Sequence, residues 1–202
     1  MIKTVIFDLG KVIVPFDFAR GYRAMEPLCG YPVAEIQKRI GSTDLVQRFE
    51  SGQVEPEDFV AQLCKQLELP LNFEQFCDLW TCIFLPDTLL PDSLFEGLRK
   101  RYRVLLLSNT NAIHFAMLQR TYTFFQHFDH LVLSHKVGAL KPSPVIYREA
   151  IARAQCLPQE CFFTDDIPEY VEGAKRAGID AVQFSNREQL EEELKARGIR
   201  WD

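Results

Sequence analysis

The sequence predicts a doubly wound parallel α/β sheet that carries an all-helical insertion after its first strand. Short runs of consecutive apolar residues recur along the chain, which is typical of parallel strands because helices cover both faces of their sheet. Segments with helical apolar spacing lie between the later runs, and this alternation of strand and helix generates a parallel sheet. A long stretch after the first run contains helical patterns and no strand-like run.

The apolar runs predict five strands, and four helices are predicted between and after the later ones. Pro144 suits the first turn of a helix, while Gly178 and Gly198 suit the residue that follows a helix. The predicted strands are Lys3–Asp8, Val104–Ser108, Leu131–Ser134, Cys161–Thr164 and Ala181–Phe184. The predicted helices are Ala112–Arg120, Pro144–Ala154, Glu169–Ala177 and Glu188–Arg197.

The insertion extends from Phe16 to Leu90 and predicts several short helices. Its helical patterns are interrupted at Gly30-Tyr31-Pro32, Gly41-Ser42, Gly52-Gln53 and Leu69-Pro70, and glycine and proline are the residues that most often end helices. We therefore expect two domains, a sheet domain from residues 1–15 and 91–202 and a helical domain from residues 16–90.

Composition and charge exclude several classes of protein. The net charge of −5 and the pI near 5.5 argue against nucleic-acid binding, which needs a basic surface. No apolar stretch is long enough to span a membrane, and the first strand begins so close to Met1 that no signal peptide is expected. The six cysteines include no C-x-x-C pair and no histidine spacing suited to zinc, so no zinc site is expected. Disulfides are not expected either, because no export signal is predicted. These features predict a cytoplasmic monomer or homodimer that binds a small molecule.

Polar residues follow the predicted strands at the points where the strands end. The segments are Phe7–Val12, Leu107–Asn111, Lys141–Pro144 and Phe162–Asp166. Open α/β sheets bind their ligands beyond the carboxyl ends of the strands, so we expect all four segments to meet in one crevice.

The residue types in this crevice are suited to phosphoryl transfer. A carboxylate such as Asp8 can accept a phosphoryl group and form an aspartyl-phosphate. A hydroxyl and backbone N–H groups at Ser108 and Asn109 can hold phosphate oxygens, and Lys141 can neutralise their charge. Asp166, helped by Asp165, can hold Mg²⁺ against Asp8, since magnesium prefers a few carboxylates together with phosphate and water.

The sequence resembles the haloacid dehalogenase superfamily in the order of its polar residues, which are Asp8, Ser108, Lys141 and Asp165-Asp166. It also has a helical insertion after the first of them, as members of that family do. The resemblance implies a Rossmann-like core, a helical cap that closes over the site and selects the substrate, and Mg²⁺-dependent phosphatase activity. The resemblance also implies that Asp8 and Lys141 are the catalytic residues. The residues expected to contact the substrate are Leu9, Ser108, Asn109 and Lys141. The residues expected to contact the metal are Asp8, Gly10, Asp165 and Asp166.

The first segment departs from the family's usual pattern. Gly10 stands where the family usually has a second aspartate that protonates the leaving group, and such an acid contributes about 10²–10⁴-fold in rate. The form Asp8-Leu9-Gly10 is similar to that of bacterial phosphatases acting on α-D-glucose 1-phosphate, as is Phe49-Glu50-Ser51-Gly52. The leaving oxygen of a sugar 1-phosphate is less basic than that of an alcohol, so its departure depends less on protonation.

Two other functions stay open at this point, a metal-independent dehalogenase that uses the same aspartate and a decayed site retained for binding. The Asp165-Asp166 pair argues against the first, whereas Gly10 and Lys11 keep the second open. We expect Lys11 to point into solvent and His114 to be a satisfied polar residue. Phe16 and Asp17, at the start of the insertion, are candidates to face the substrate.

Overall fold

The computed structural model describes residues 1–202 and has a five-stranded, fully parallel sheet at its centre. The strand order is β3-β2-β1-β4-β5, so the chain builds outward from β1 in one direction and then in the other. The strands are β1 Thr4–Phe7, β2 Arg103–Ser108, β3 His130–Leu133, β4 Cys161–Asp165 and β5 Asp180–Gln183. All five predicted strands are confirmed, and the predicted ends are within one residue of the observed ends.

Eleven α-helices surround or extend this sheet. The helices of the insertion are α1 Phe18–Cys29, α2 Val33–Gly41, α3 Leu45–Glu50, α4 Pro56–Leu67 and α5 Phe73–Thr81. The later helices are α6 Asp92–Arg99, α7 Ala112–Thr121, α8 Ser134–Val137, α9 Pro144–Ala154, α10 Pro168–Arg176 and α11 Arg187–Ala196. Short 3₁₀ helices cover Thr123–His127 and Pro158–Glu160. The four predicted helices correspond to α7, α9, α10 and α11.

Alternate residues of β1 face the two sides of the sheet, and each side has its own apolar layer. Phe7 packs with Phe95 of α6 and Leu194 of α11. Ile6 packs in the opposite layer with Tyr147 of α9. This arrangement is a doubly wound sheet with both faces covered, as the apolar strands predict.

The insertion has a separate apolar cluster. The rings of Phe49 and Phe59 stack with their centroids 4.0 Å apart, and Phe76 meets Phe59 edge-on. The two connections to the sheet run side by side, because the Asp17 N–H donates to the Ile83 carbonyl at 2.9 Å. The insertion therefore leaves and rejoins the sheet domain at one place.

The loop after α3 packs directly onto the sheet domain. Gly52 has a φ of +69°, and a Cβ atom there would lie 2.1 Å from the His135 carbonyl oxygen, so a side chain cannot be accommodated without displacement. The Ser134 hydroxyl donates to the Glu50 carbonyl at 2.6 Å and accepts from the Thr110 N–H at 2.9 Å. The loop is thus fixed against the carboxyl edge of the sheet. None of the helices has the length and apolarity required to cross a membrane.

Candidate active site

Asp8 lies one residue beyond β1, at the carboxyl edge of the central strand. Its backbone N–H donates to the Thr164 carbonyl at 3.0 Å, so the ladder between β1 and β4 holds this position. The chain then turns sharply, and Lys11 has a φ of +58° in the left-handed region. The Asp8 side chain is buried, with the residue 7% exposed, and it faces the place where the strand order reverses.

Lys141 joins the ends of β1 and β4 through its ammonium group. The Nζ atom donates to Asp8 Oδ1 at 2.7 Å and to Asp165 Oδ2 at 2.5 Å, and it lies 3.2 Å from the Leu107 carbonyl oxygen. All these groups lie in the protein interior. The lysine is therefore fully coordinated by two carboxylates and one carbonyl.

Asn109 fixes the loop that carries Lys141. The Asn109 Oδ1 atom accepts from the Lys141 N–H at 2.8 Å, and the Asn109 Nδ2 atom donates to the Lys141 carbonyl at 3.1 Å. Because both polar atoms of the Asn109 amide are engaged with this backbone, the side chain positions the lysine. A substrate contact from Asn109 would have to come from its backbone N–H.

The two aspartates after β4 have different surroundings. Asp165 has no exposed surface, and its second oxygen, Oδ1, accepts from the Ile167 N–H at 2.9 Å. Asp166 is only partly buried. Ligand oxygens of Asp8, Asp165 and Asp166 lie within 4.8 Å of one another. The sequence prediction that these three carboxylates converge is therefore consistent with the geometry.

The electrostatics of this cluster follow from its burial and its excess of negative charge. Burial raises the pKa of Asp8 to about 7, against the opposing effect of Lys141. Burial also disfavours the Lys141 ammonium, but the charges of Asp8 and Asp165 outweigh it and hold the pKa of Lys141 above its usual value. Burial and the charge of Asp165 raise the pKa of Asp166.

Three ionised carboxylates and one ammonium have a net charge of −2. A hard divalent cation such as Mg²⁺ prefers carboxylate oxygens with further positions open to water or phosphate, and it would balance this charge. The donor set therefore fits a magnesium ion. Asp8 and Asp166 are the best placed to supply ligands, because both oxygens of Asp165 already accept hydrogen bonds.

An acidic side chain at Gly10 would have to displace the Phe16 ring. A Cβ atom on Gly10 would lie 2.7 Å from Cε1 of Phe16, so the Phe16 ring occupies the space beside this position. The ring contacts Phe18 and Phe84, at centroid distances of 4.9 and 6.0 Å. The side of the crevice where the family usually has an acid is thus an aromatic wall. Of the two candidates at the start of the insertion, Phe16 lies beside Gly10, whereas Asp17 caps α1 by accepting from the Ala19 N–H.

Leu9, Ser108 and Lys11 also lie near the strand ends, but their side chains differ in how far they are exposed to the crevice. The Leu9 side chain is buried in the sheet core, so only its backbone can face a substrate. The Ser108 hydroxyl has only a 3.4 Å contact with the Asn109 carbonyl and is otherwise available. Lys11 is exposed, as predicted, but it does not point away from the site, because its ammonium lies 5.2 Å from the centroid of the Phe16 ring and its charge lowers the pKa of Asp166.

His114 is a satisfied polar residue, as predicted. Its Nδ1 atom lies 3.1 Å from the Asn111 amide nitrogen, and its Nε2 atom lies 3.1 Å from the Trp80 carbonyl. Burial lowers the pKa of His114 to about 4. With both ring nitrogens engaged in a neutral ring, His114 is not available for acid–base chemistry.

Sequence reasoning did not identify Ser134, Tyr170 or the role of Glu50 near the site. Ser134 ends a predicted strand, as Asp8 and Ser108 do, so the same positional signal could have found it. The Tyr170 hydroxyl lies 3.4 Å from the Asn109 amide, and no local pattern in the sequence marks it. Glu50 lies in the four-residue segment noted above, but the pattern gives no indication of where its side chain points.

The comparisons with known proteins agree with this geometry. The model of the haloacid dehalogenase-like hydrolase family matches residues 2–178. D-ribitol-5-phosphate phosphatase from Bacteroides thetaiotaomicron is 30% identical over 96% of this chain and 97% of its own length. A HAD-like family hydrolase from Porphyromonas gingivalis superposes with a TM-score of 0.84 at 27% identity, covering 98% of both chains.

A further solved structure shares the fold. A HAD family enzyme from B. thetaiotaomicron, in complex with magnesium and inorganic phosphate, has a TM-score of 0.82 at 24% identity, covering 92% of this chain and 96% of its own. The curated relative named above is a phosphatase, which favours phosphate-ester hydrolysis over halide displacement and over a site without activity. The chain belongs to the haloacid dehalogenase-like hydrolases and is a hydrolase that acts on phosphate monoesters.

Proposed function

We propose that this protein is a Mg²⁺-dependent phosphatase of a small sugar phosphate, such as a hexose 1-phosphate, and that it works through an aspartyl-phosphate on Asp8. The observation that carries the proposal is the buried cluster in which Lys141 holds both Asp8 and Asp165, with Asp166 at its rim. A nucleophilic carboxylate, a fixed cation and further metal-binding carboxylates are the groups that phosphoryl transfer needs.

Asp8 performs the first step with the oxygen that Lys141 does not hold. Lys141 binds Oδ1 at 2.7 Å, so Oδ2 attacks phosphorus while the bond between phosphorus and the leaving oxygen breaks. The alcohol departs with a proton from solvent. Water then attacks the phosphorus of the aspartyl-phosphate, which releases inorganic phosphate and restores the Asp8 carboxylate.

Other groups at the strand ends bind the transferred phosphoryl group. The Ser108 hydroxyl and the backbone N–H groups of Leu9 and Asn109 are the available donors. Asp8 and Asp166, with the Gly10 carbonyl, are the proposed magnesium ligands, and Asp165 holds Lys141 beside them. When bound, the ion neutralises the negative charges of the carboxylates and phosphate that would otherwise repel. A protein of the same fold from B. thetaiotaomicron was solved in complex with magnesium and inorganic phosphate, which supports magnesium as the ion but not the choice of ligands.

The proposed leaving group follows from the aromatic wall at Gly10. Because the Phe16 ring lies where an acid would project, no side chain at this position protonates the leaving oxygen. A hemiacetal oxygen departs more readily without protonation than an alkoxide does. This argument favours a sugar 1-phosphate over a simple alkyl phosphate.

We further propose that residues 16–90 form a cap domain over a core of residues 1–15 and 91–202. The separate aromatic cluster of the insertion and the paired connections at Asp17 and Ile83 support this division. The cap would exclude water and contact the leaving group, as expected for a small-molecule substrate.

The test is phosphate release from a panel of sugar phosphates, with and without Mg²⁺, for the wild type and Asp8→Asn. We expect magnesium-dependent release that is strongest for hexose 1-phosphates and is lost in the variant. Equal turnover of a simple alkyl phosphate would contradict the assignment of substrate. Activity that persists in Asp8→Asn would contradict the assignment of the nucleophile.

A further inference from the structure

Two of the six cysteines lie side by side at the amino end of the sheet, away from the carboxyl edge that carries the proposed site. The Sγ atoms of Cys156 and Cys161 are 3.5 Å apart. Cys161 begins β4, and Cys156 lies in the connection between α9 and β4. No other two cysteines have their sulfur atoms in contact, and all six are free thiols. The phosphatase mechanism does not use this pair.

The positions of the two residues allow their sulfur atoms to meet. A disulfide bond is about 2.05 Å long, so the sulfur atoms must approach each other by about 1.5 Å. Cys161 is held in the sheet, where it is paired in register with Thr4 of β1. Cys156 lies in an irregular segment before the 3₁₀ helix. Movement of the Cys156 side chain toward a fixed Cys161 therefore supplies the approach without disturbing the pairing of the strands.

Loss of the two thiol protons leaves no strong hydrogen bond unmade. The Thr4 hydroxyl donates to the Ala154 carbonyl at 3.1 Å, so the Cys156 thiol is the donor in its 3.3 Å contact with that hydroxyl. The Cys161 thiol donates to the Leu157 carbonyl at 3.6 Å. Thiols are weak donors, and the Thr4 hydroxyl keeps its bond to Ala154 when the thiol proton is lost. The hydrogen bonds around the pair therefore do not oppose a bridge.

The two thiols differ in their access to an oxidant. Cys156 is partly exposed, whereas Cys161 has no exposed surface. Burial, and then the contact with Cys156, raise the pKa of the Cys161 thiol. The pKa of the Lys3 ammonium is raised by its hydrogen bond and ion pair with Glu160 and also by Cys156, so its charge lies close to that sulfur. A nearby ammonium favours a thiolate, and Cys156 is therefore the thiol that meets an oxidant first.

We propose that Cys156 and Cys161 form a reversible modification site, at which a peroxide oxidises the two thiols to an intramolecular disulfide. The Cys156 thiolate attacks one oxygen of hydrogen peroxide, the O–O bond breaks, and the departing hydroxide takes up a proton and becomes water. The resulting Cys156 sulfenic acid condenses with the Cys161 thiol. The S–O bond breaks, and a second water leaves with the thiol proton. Two thiols thus lose two electrons and two protons, and one peroxide is reduced to two waters.

The bridge would join the two elements that carry members of the buried cluster. α9 follows Lys141 and ends before Cys156, while β4 begins at Cys161 and ends at Asp165. The disulfide closes a loop of six residues, counted from Cys156 to Cys161, and so restricts the unfolded chain. β4 has five residues, so its ends are about 13 Å apart and the bridge does not reach the proposed site. Oxidation should therefore stabilise the fold.

The experiment treats the intact, reduced protein with a small excess of hydrogen peroxide. Free thiols are counted with a chromogenic reagent in denaturant, the intact mass is measured, and non-reducing peptide mapping locates the linkage. Thermal unfolding compares the oxidised and reduced forms. The variants are Cys156→Ser and Cys161→Ser. Cys29→Ser is the matched control, because Cys29 is also a partly exposed thiol but has no sulfur neighbour.

We expect the wild type to lose two of its six thiols and about 2 Da of mass, with the linkage between Cys156 and Cys161. Dithiothreitol should restore all six thiols by exchange. Oxidation should raise Tm by up to about 8 °C, because closing a loop of this size lowers the entropy of the unfolded chain. Cys29→Ser should also lose two thiols. Cys156→Ser should lose none, and Cys161→Ser should accumulate a sulfenic acid on Cys156 that dimedone traps.

Retention of all six thiols, equal loss from all of them, or a linkage between other cysteines or between two molecules would overturn the proposal. A stable gain of about 32 Da on Cys156 would also overturn it, because this gain marks a sulfinic acid formed in place of the disulfide. A fall in Tm on oxidation would show that the fold does not accommodate the bridge. The wild-type measurements decide the question even if a serine variant fails to fold. None of these outcomes depends on phosphatase activity, so the failure of this proposal and that of the proposed function are separate results.

Discussion

Replacing Lys141 with methionine should destabilise the metal-free protein strongly, although the two side chains are similar in length. The Lys141 ammonium contacts Asp8 at 2.7 Å and Asp165 at 2.5 Å, and the side chain of Lys141 is 1% exposed. Methionine fills much of the same volume but leaves two carboxylates facing each other in the interior. The Leu107 carbonyl also loses its contact with the ammonium.

The magnitude follows from the burial of this ion pair. Removing one partner of a buried pair costs about 3–5 kcal/mol, because a charge is left without compensation. For a chain of this size, about 2–4 °C of Tm is lost per kcal/mol, so we expect Tm to fall by roughly 6–20 °C. The loss should be larger at pH 8 than at pH 6. Lys141 lowers the pKa of Asp8, and without it the pKa of Asp8 rises above about 7, so ionising Asp8 costs more free energy at alkaline pH.

The assay is thermal unfolding monitored by circular dichroism, with EDTA present, at both pH values. Lys175→Met is the matched control, because Lys175 pairs with Glu172 at 2.8 Å on the surface, where both side chains are about half exposed. An exposed pair of this kind contributes only about 0.2–1 kcal/mol. Similar Tm losses in the two variants would refute the argument that the buried Lys141 contacts contribute more to stability than an exposed ion pair does.

Three further changes test other parts of the structure. Glu50→Gln should stabilise the protein at pH 8 by up to about 3 kcal/mol and have no effect near pH 4. Burial raises the pKa of Glu50 from 4.5 to about 7, so the free-energy cost of its charge appears only as the pH rises. A difference in Tm that does not depend on pH would contradict this. Gly52→Ala should lower the free energy of unfolding by about 2 kcal/mol or more, because the φ of Gly52 is positive and the new Cβ would lie 2.1 Å from the His135 carbonyl oxygen. Gly41→Ala serves as the control, since a Cβ atom there would have no neighbour within 4 Å. Asp166→Asn should raise the Mg²⁺ concentration needed for half-maximal activity by about tenfold or more. It should not lower Tm in EDTA. An unchanged magnesium requirement would remove Asp166 from the proposed ligands.

The sheet was predictable from sequence because its strands are short, continuously apolar runs that end in recognisable polar or glycine residues. Pro144 and Gly178 fix the ends of helices through local backbone geometry, which a sequence displays directly. The convergence of Asp8, Lys141 and Asp166 was also predictable, because parallel strands place their carboxyl ends at one edge.

The partners of individual side chains were not predictable, because they depend on contacts between distant parts of the chain. Asn109 was predicted to hold phosphate through the backbone, and that prediction is untouched, but no local pattern indicates that its side-chain amide bonds to the backbone of Lys141, 32 residues away. Glu50 lies in a helical segment whose pattern places it near Gly52 but gives no account of the cavity it lines. Asp17 is different, since an aspartate before a helix is a common cap, and its role could have been predicted locally.

The contact between Gly10 and Phe16 couples two features of the crevice. The two positions share one volume, because a Cβ atom on Gly10 would lie 2.7 Å from the Phe16 ring. An aspartate at Gly10 would therefore require the ring, which is only partly buried, to turn aside. One substitution at Gly10 would thus change both the missing acid and the aromatic wall, so a new acid at this position would act in a more open and more polar crevice.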